Sequence, residues 1–346
     1  LSDFWTVGND GSIILDIADF APVITHTVTF DSNEGSSVSP VDVVEGELLI
    51  APTDPTKDGF TFEGWYKDAG LTMAWDFDVD VVTEDITLYA MWEVAGPEGT
   101  AITTAQEFKD MTITSGTYYL ANDIDFTGFT WTQSGTGTRF NGILDGNGKK
   151  ISNITIDGDG TGVYGGIFQR VGGSAVIKNL IIEEAHIDVV GRAGVLIGRV
   201  EVAGPVIENI TIINSSVMGT DGNGVGLIVG AGSYSFDVSN ITVTGSSVFS
   251  TNKNVGIIAG RADGIVNITD VNVIDSTVES ASTSTDAGIG AFVGYTNHAD
   301  AQIHITRAVA QDVILKGRSA GSLVGFYKLG TLSVTDVFTD VEFEYA

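Results

Sequence analysis

Gly194-Val-Leu-Ile-Gly198, Gly226-Leu-Ile-Val-Gly230, Gly256-Ile-Ile-Ala-Gly260, Gly290-Ala-Phe-Val-Gly294 and Gly321-Ser-Leu-Val-Gly325 are one word repeated, with Gly166-Ile-Phe-Gln as a shorter first copy. The copies recur every 28 to 34 residues. A second word sits between them, an Asn or Asp followed by alternating apolar residues: Asn179-Leu-Ile-Ile, Asn209-Ile-Thr-Ile, Asn240-Ile-Thr-Val, Asp270-Val-Asn-Val and Asp336-Val-Phe. Asn153-Ile-Thr-Ile reads as the start of this series, and Arg307 as the point where it breaks rank, because the position turns basic and the spacing stretches.

A fixed period of this size, built from short strands and Gly/Asn/Ser/Thr corners without helical spacing, specifies a solenoid whose coils stack their strands into parallel sheets. The expected fold is all-β, a parallel β-helix of about seven coils, roughly 34 Å tall at the inter-strand spacing. Ile154, Ile156, Leu180, Ile182, Ile210, Ile212, Ile241 and Val243 should point inward onto their counterparts in the next coil. Asn153, Asn179, Asn209, Asn240, Asp270 and Asp336 should form a corner ladder, each in a left-handed backbone and hydrogen-bonded above and below.

Lys plus Arg number 16 against 45 Asp plus Glu, a net charge of −29, which argues against nucleic acid and anionic membrane as partners. Cysteine is absent, removing disulfides, thiol catalysis and Cys–zinc sites together. No run of about 18 apolar residues spans a membrane. The absence of a signal peptide at Leu1 reads as a mature or cut piece of something longer.

Taken in order, residues 1–25 read as an N-terminal strand segment or the tail of a preceding domain, with Ile13, Ile14, Leu15, Ile17 and Phe20 forming an uncommitted apolar strand before Pro22. Residues 26–93 change character. Val28-Thr-Phe-Asp-Ser-Asn-Glu-Gly35, Gly59-Phe-Thr-Phe-Glu-Gly-Trp-Tyr66 and Ile86-Thr-Leu-Tyr-Ala-Met-Trp92 resemble the internalin B-repeat, also called the Listeria-Bacteroides repeat. The resemblance implies a small β-grasp-like module of bacterial surface proteins, often a spacer, with no catalytic residues to carry over. Trp65, Tyr66, Trp75, Tyr89 and Trp92 are then its core in preference to a sugar-stacking platform.

Residues 94–99 are a Gly/Pro linker, and 100–346 are the solenoid with an N-terminal cap over about 100–126. Thr104-Ala-Gln-Glu107 is a capping box opening a short helix, with Phe108 and Met111 on one face to close the coil end. Gly116-Thr-Tyr-Tyr-Leu-Ala-Asn-Asp-Ile-Asp-Phe126 and Phe140-Asn-Gly-Ile-Leu-Asp-Gly-Asn-Gly-Lys149, with the Gly-Leu-Ile-Val-Gly words, resemble the GLUG-repeat proteins, β-solenoids of bacterial adhesins and of surface proteases outside their catalytic domains. That resemblance implies a surface-exposed stalk or binding body.

Parallel β-helices also host polysaccharide lyases and hydrolases, which need paired carboxylates across a cleft. The densest acids on the coils are Asp145, Asp157 and Asp159, in Asp-Gly-Asn-Gly and Asp-Gly-Asp-Gly stretches that read as tight turns before they read as calcium loops. His186, His298 and His304 have no metal-ligand spacing, and no nucleophile elbow, Walker loop or dinucleotide fingerprint appears. The sequons at Asn153, Asn209, Asn214, Asn240 and Asn267 fall on ladder corners or their strands, and the Thr155, Thr211, Thr242 column is interrupted by Ile181 and Asn272.

The function expected is therefore non-catalytic: an extracellular bacterial surface protein that binds a carbohydrate, a cell surface or another protein. It needs no cofactor, calcium being the one candidate. A structural subunit of an extracellular filament is the alternative, assembling head to tail through Ile13–Phe20 and the apolar Val337, Val341 and Phe343 of the last coil. A polysaccharide-degrading β-helix enzyme is the third reading.

Overall fold

The computed structural model describes residues 5–7, 9–10, 12–15, 22–133, 139–158, 163–220 and 223–345. The chain divides into two compact units, Leu1–Gly96 and Pro97–Ala346.

In the first unit β1 (Trp5–Val7) and β2 (Ile13–Leu15) pair antiparallel, Trp5 opposite Leu15 and Val7 opposite Ile13. This corrects the expectation of an uncommitted strand: the chain turns at Asn9 and Asp10, where the Asp10 carboxylate accepts the Ser12 amide at 3.0 Å, and Ile13, Ile14 and Leu15 find a partner close in sequence. Ile17 and Phe20 lie outside the described residues. β3 (Thr25–Asp31), β4 (Val41–Val44), β5 (Phe60–Tyr66) and β6 (Ile86–Val94) form a four-stranded sheet in the order β4-β3-β6-β5. Its central pair, β3 and β6, is parallel, and the chain between β4 and β5 forms no helix. Val28, Phe30, Leu88, Ala90, Trp65 and Trp75 fill the core, with the Trp65 ring edge-on to Phe30 at 4.8 Å. Trp92 stays half-buried and donates its indole N–H to the Ser32 carbonyl at 2.8 Å.

The second unit opens with α1 (Ala105–Met111), the only helix among the described residues. Thr104 accepts the Glu107 amide and Glu107 reaches back to the Thr104 amide, a reciprocal cap that frees the helix from needing neighbours at its start. Phe108 and Met111 are buried, and Phe108 meets Phe126 and Trp131 at 5.7 and 6.3 Å. Apolar coil ends invite edge-to-edge pairing, so this aromatic plug covers the first coil.

About seven parallel coils follow. One broad sheet carries the long strands, such as Val206–Ile213 with Ser216–Gly219, each stacked on its equivalent one coil away. Leu180, Ile210, Ile241 and Val271 form one inward column and Ile182, Ile212, Val243 and Val273 another, all essentially without solvent contact. Two narrower six-stranded sheets, one containing Gly191–Gly194 and the other Ile197–Val200, complete each turn.

Each coil bends the broad sheet at two corners. Asn179, Asn209, Asn240, Asp270, Arg307 and Asp336 have φ between 49° and 56° at the first. Glu184, Asn214, Asp275 and Asp312 have φ between 48° and 53° at the second, where Gly245 fills the same place. A left-handed residue shifts the alternation by one, so Glu208 and Asn209 both face out while Ile207 and Ile210 both face in. Asn and Asp tolerate this backbone best among residues with a side chain.

Two expectations are corrected here. Asn153 does not begin the Asn179 series: Ser152 lies opposite Glu183 and Thr155 opposite His186, so Asn153 is level with Glu184 at the second corner. Both corners demand the same backbone, and Asn153 is followed by the inward Ile154 and Ile156 just as Asn179 is by Leu180 and Ile182, which makes the two words look alike. Nor does Arg307 break rank. It keeps the left-handed corner at φ 49° and its guanidinium grips Asp270 of the previous coil through Nε and Nη2 at 2.6 and 2.7 Å.

The Gly-x-x-x-Gly words form a crease in which the two narrow sheets touch backbone to backbone. A Cβ on Gly194 would stand 2.1 Å from the Ile197 carbonyl, one on Gly260 2.0 Å from the Val225 nitrogen and one on Gly325 2.1 Å from the Ile289 nitrogen. Sheets that keep their side chains pack about 10 Å apart, so only glycine permits this approach. The apolar residues between the glycines, Leu196, Ile197, Leu227, Ile228, Ile257 and Ile258, form a tip driven into the core, where all are fully buried.

Candidate functional site

Solenoid coils bring residues about 30 positions apart into register, so a site is built as columns. At the first corner, Asn209 donates its side-chain amide to the Asn179 oxygen at 2.8 Å, Asn240 donates to Asn209 at 2.5 Å, and Asn179 donates to Asp145 at 2.9 Å. Asp336 holds its corner on the last strand, Thr331–Glu344. Asn153 donates to Asp125 at 2.8 Å. The asparagines satisfy one another and the neighbouring aspartates along the stack.

The acids singled out in the sequence are not brought together. The Asp145 carboxylate accepts the Asn147 amide at 2.8 Å as well as the Asn179 side chain, with Lys178 Nζ 3.6 Å away. Asp157 is exposed and stands next to Asp188 of the following coil, and Asp159 lies outside the described residues. Among the described residues no group of three or more His, Asp or Glu converges as a metal cage would. Although Asp188 is exposed, partial desolvation of its carboxyl against the stack, helped by the charge of Asp157, holds it above its ordinary range. A raised folded-state value means the ionised form is penalised by folding, so this penalty is present above that value and fades as pH falls through it. Asp188→Asn should therefore raise the melting temperature at pH 7 and lose the advantage near pH 4; equal shifts at both would remove the cause assigned.

Val337 and Val341 of the last strand are half-buried and Phe343 is exposed, continuing inward columns set by Ala308, Val313 and Leu315. His186 accepts or donates one hydrogen bond with Ser216, and His298 stands apart from it beside Asp300.

The concentration of recognition chemistry lies at the mouth of the crease, which sequence reading missed. On one narrow sheet Arg170, Arg199, Ala231, Arg261, Tyr295 and Phe326 form a single column. On the other, Tyr164 stacks on Arg192. The columns oppose one another, a Cβ on Gly224 lying 3.2 Å from that of Arg261 and 3.3 Å from that of Ala231. Three guanidiniums surround the Tyr164 ring, Arg170 at 4.9 Å, Arg199 at 5.0 Å and Arg192 at 5.7 Å, and Arg199 also donates to the Tyr164 hydroxyl. Glu201 lies within 3.4 to 3.7 Å of Arg170, Arg199 and Arg139. Arg261 Nε is 2.6 Å from Asp263 as an ion pair without the angle of a directed hydrogen bond. The Arg170, Arg199 and Arg261 Nε groups and one Asp263 oxygen are buried without hydrogen-bond partners among the described residues. Burial pulls Arg192 below its ordinary range, and the charges of Arg199 and Arg261 push the same way against Tyr164 and Asp263. Beside the columns a groove of about 550 Å³ is lined by Arg199, Ser233, Tyr234, Asp263, His298 and Asp300. The sequence did carry a signal, since Arg170, Arg199 and Arg261 stand 29 and 62 residues apart, one and two coil periods, in a chain poor in arginine.

Residues 26–91 match the Listeria-Bacteroides repeat domain. Over 69 residues, 20% of this chain and 10% of the relative, the protein is 54% identical to a "putative membrane protein" of Evansella cellulosilytica. Over 70 residues, 20% of this chain and 12% of the relative, it is 44% identical to Internalin H of Listeria monocytogenes. The chain thus spans about a tenth of the length of these relatives. In fold it is similar to the crystal structure of "a putative immunoglobulin A1 protease" from Bacteroides ovatus, with a TM-score of 0.54, 17% identity and coverage of 72% of this chain and 77% of that one. The protein therefore combines a repeat module of the kind found in surface proteins with a parallel β-solenoid. No helix among the described residues is long and apolar enough to cross a membrane.

Proposed function

We propose that this chain is part of an extracellular bacterial surface protein that holds a ligand on the flank of its solenoid, without catalysis. The observation that carries the reading is the crease mouth, where guanidiniums and tyrosines are packed as a recognition surface, each cation over a ring or beside a carboxylate. A hydrolase would need two carboxylates free to act across a cleft, and at the crease mouth the two carboxylates, Glu201 and Asp263, are engaged by arginine. The GLUG-like words and the spacer-type module support a display role. A polysaccharide-degrading enzyme stays the competing reading, since the solenoid fold serves both classes.

The fluorescently labelled full chain should bind intact bacterial or host cells saturably, and should release no reducing ends or peptides from glycan and protein substrates. Measurable turnover would replace this reading with the enzymatic one. We also propose that binding requires no metal, so the melting temperature should be the same in millimolar calcium and in chelator; a calcium-dependent rise would move Asp145 and Asp157 into a metal site.

A further inference from the structure

Five of the seven arginines, Arg139, Arg170, Arg192, Arg199 and Arg261, meet at the crease, although the chain as a whole carries a net charge of −29. Among the described residues Glu201 and Asp263 are the carboxylates that pair with these five guanidiniums, and with the exposed Asp300 of the adjoining groove counted as well the positive charges still outnumber the negative ones. Among the described residues the half-buried Arg192 has neither a hydrogen bond nor an ion pair, and its guanidinium lies over the face of Tyr164. Like charges brought this close oppose one another, and a half-buried cation lacks the full hydration that would screen it. Nothing in the packing of the solenoid requires them, for Ala231 occupies the same column in the intervening coil.

We propose that the crease mouth, at Arg170, Arg192, Arg199 and Arg261, is a binding site for an acidic polysaccharide, a sugar chain bearing carboxylate or sulfate groups. The inference rests on the surface-binding reading and deepens it. Guanidinium forks match planar or tetrahedral oxyanions bidentately. At the coil spacing of about 4.8 Å, Arg199 and Arg261 stand roughly 9.6 Å apart, which suits successive charges along a polymer more than one small ion. The column then continues into Tyr295 and Phe326, stacked at 5.3 Å with planes 9° apart, and the adjoining groove offers Tyr234, 49% exposed, with Ser233, Ser235 and Gln302. Rings and hydroxyls of this kind suit sugar faces and sugar hydroxyls. An acidic peptide is less well served, because peptides dock on sheets through a free edge, whereas the strands bearing Arg192, Arg199 and Arg261 are paired on both sides and the outer edge beside Arg170 is bridged by Phe140, whose amide donates to the Arg170 carbonyl at 3.0 Å.

The full chain should bind polygalacturonate or dextran sulfate by isothermal titration calorimetry and leave neutral dextran unbound, with affinity falling steeply as salt rises. Which of the two polyanions binds more tightly identifies carboxylate or sulfate as the preferred group. Arg192→Gln should weaken that binding about tenfold without lowering the melting temperature, and Arg261→Gln should weaken it as much while lowering the melting temperature, because Asp263 then loses its ion-pair partner. Equal binding of dextran, polyglutamate binding as tightly as the polysaccharides, no binding of either polyanion, or full affinity in both variants would each overturn the site. Cell binding that survives in Arg192→Gln would overturn this inference while leaving the surface-binding reading intact; turnover of a substrate would do the reverse.

Discussion

Gly260→Ala should lose about 3 kcal/mol of stability, because the new Cβ has nowhere to go. It would sit 2.0 Å from the Val225 nitrogen and 2.6 Å from the Gly224 carbonyl carbon and the Val225 oxygen, all backbone atoms of the opposing sheet. A flexible side chain could swing aside; a strand hydrogen-bonded to coils on both faces cannot. The conformation at Gly260 is open to any residue, so the loss would be one of space alone. Opening the crease to admit the methyl would also draw the Ile257 and Ile258 tip out of the core. Gly96→Ala is the control, with nothing within 4 Å of its added carbon, and should stay within about 0.5 kcal/mol of the parent. Urea denaturation followed by circular dichroism reads both. A Gly260→Ala midpoint equal to that of Gly96→Ala would mean the two sheets do not touch as described.

Ile212→Ala should cost about 2 to 5 kcal/mol, and Thr211→Ala close to nothing. Ile212 is fully buried, level with Ile182 on one side and Val243 on the other. Removing its side chain leaves a cavity inside a stack whose backbone spacing is fixed by hydrogen bonds, so neighbouring coils cannot collapse to fill it. Thr211 points outward, level with Ile181 and Thr242, where a residue as different as Asn272 also serves in the next coil. Equal shifts in thermal melts of the two variants would show that the strand is out of register by one residue.

Much of this was legible because a solenoid repeats its constraints. Alternation after each corner word determined which residues turn inward, since a period of two admits one answer when one face is buried. The capping box Thr104–Glu107 and the apolar pair Phe108 and Met111 determined the helix that closes the first coil, because its signals are local. The blocks at Val28–Gly35, Gly59–Tyr66 and Ile86–Trp92 determined the module, and its tryptophans behaved as core.

What needed the tertiary structure was whatever depends on which coil lies beside which. Asn153 could be assigned to its corner only once Ser152 was found level with Glu183, because both corners ask for the same left-handed residue. The second corner is also marked by a buried ladder in which Ser215 accepts the Ala185 amide and Ser246 that of Ser215, invisible in a sequence where serine reads as loop. The glycines of the repeated word marked a period but not a purpose; their purpose is contact between sheets, which no local signal encodes. The strand Ile13–Leu15 was bound locally by β1, through a turn whose hydrogen bonds decided the matter. The arginine columns lay 29 and 62 residues apart in sequence and became one surface only when the coils stacked, because parallel stacking converts a period along the chain into adjacency in space.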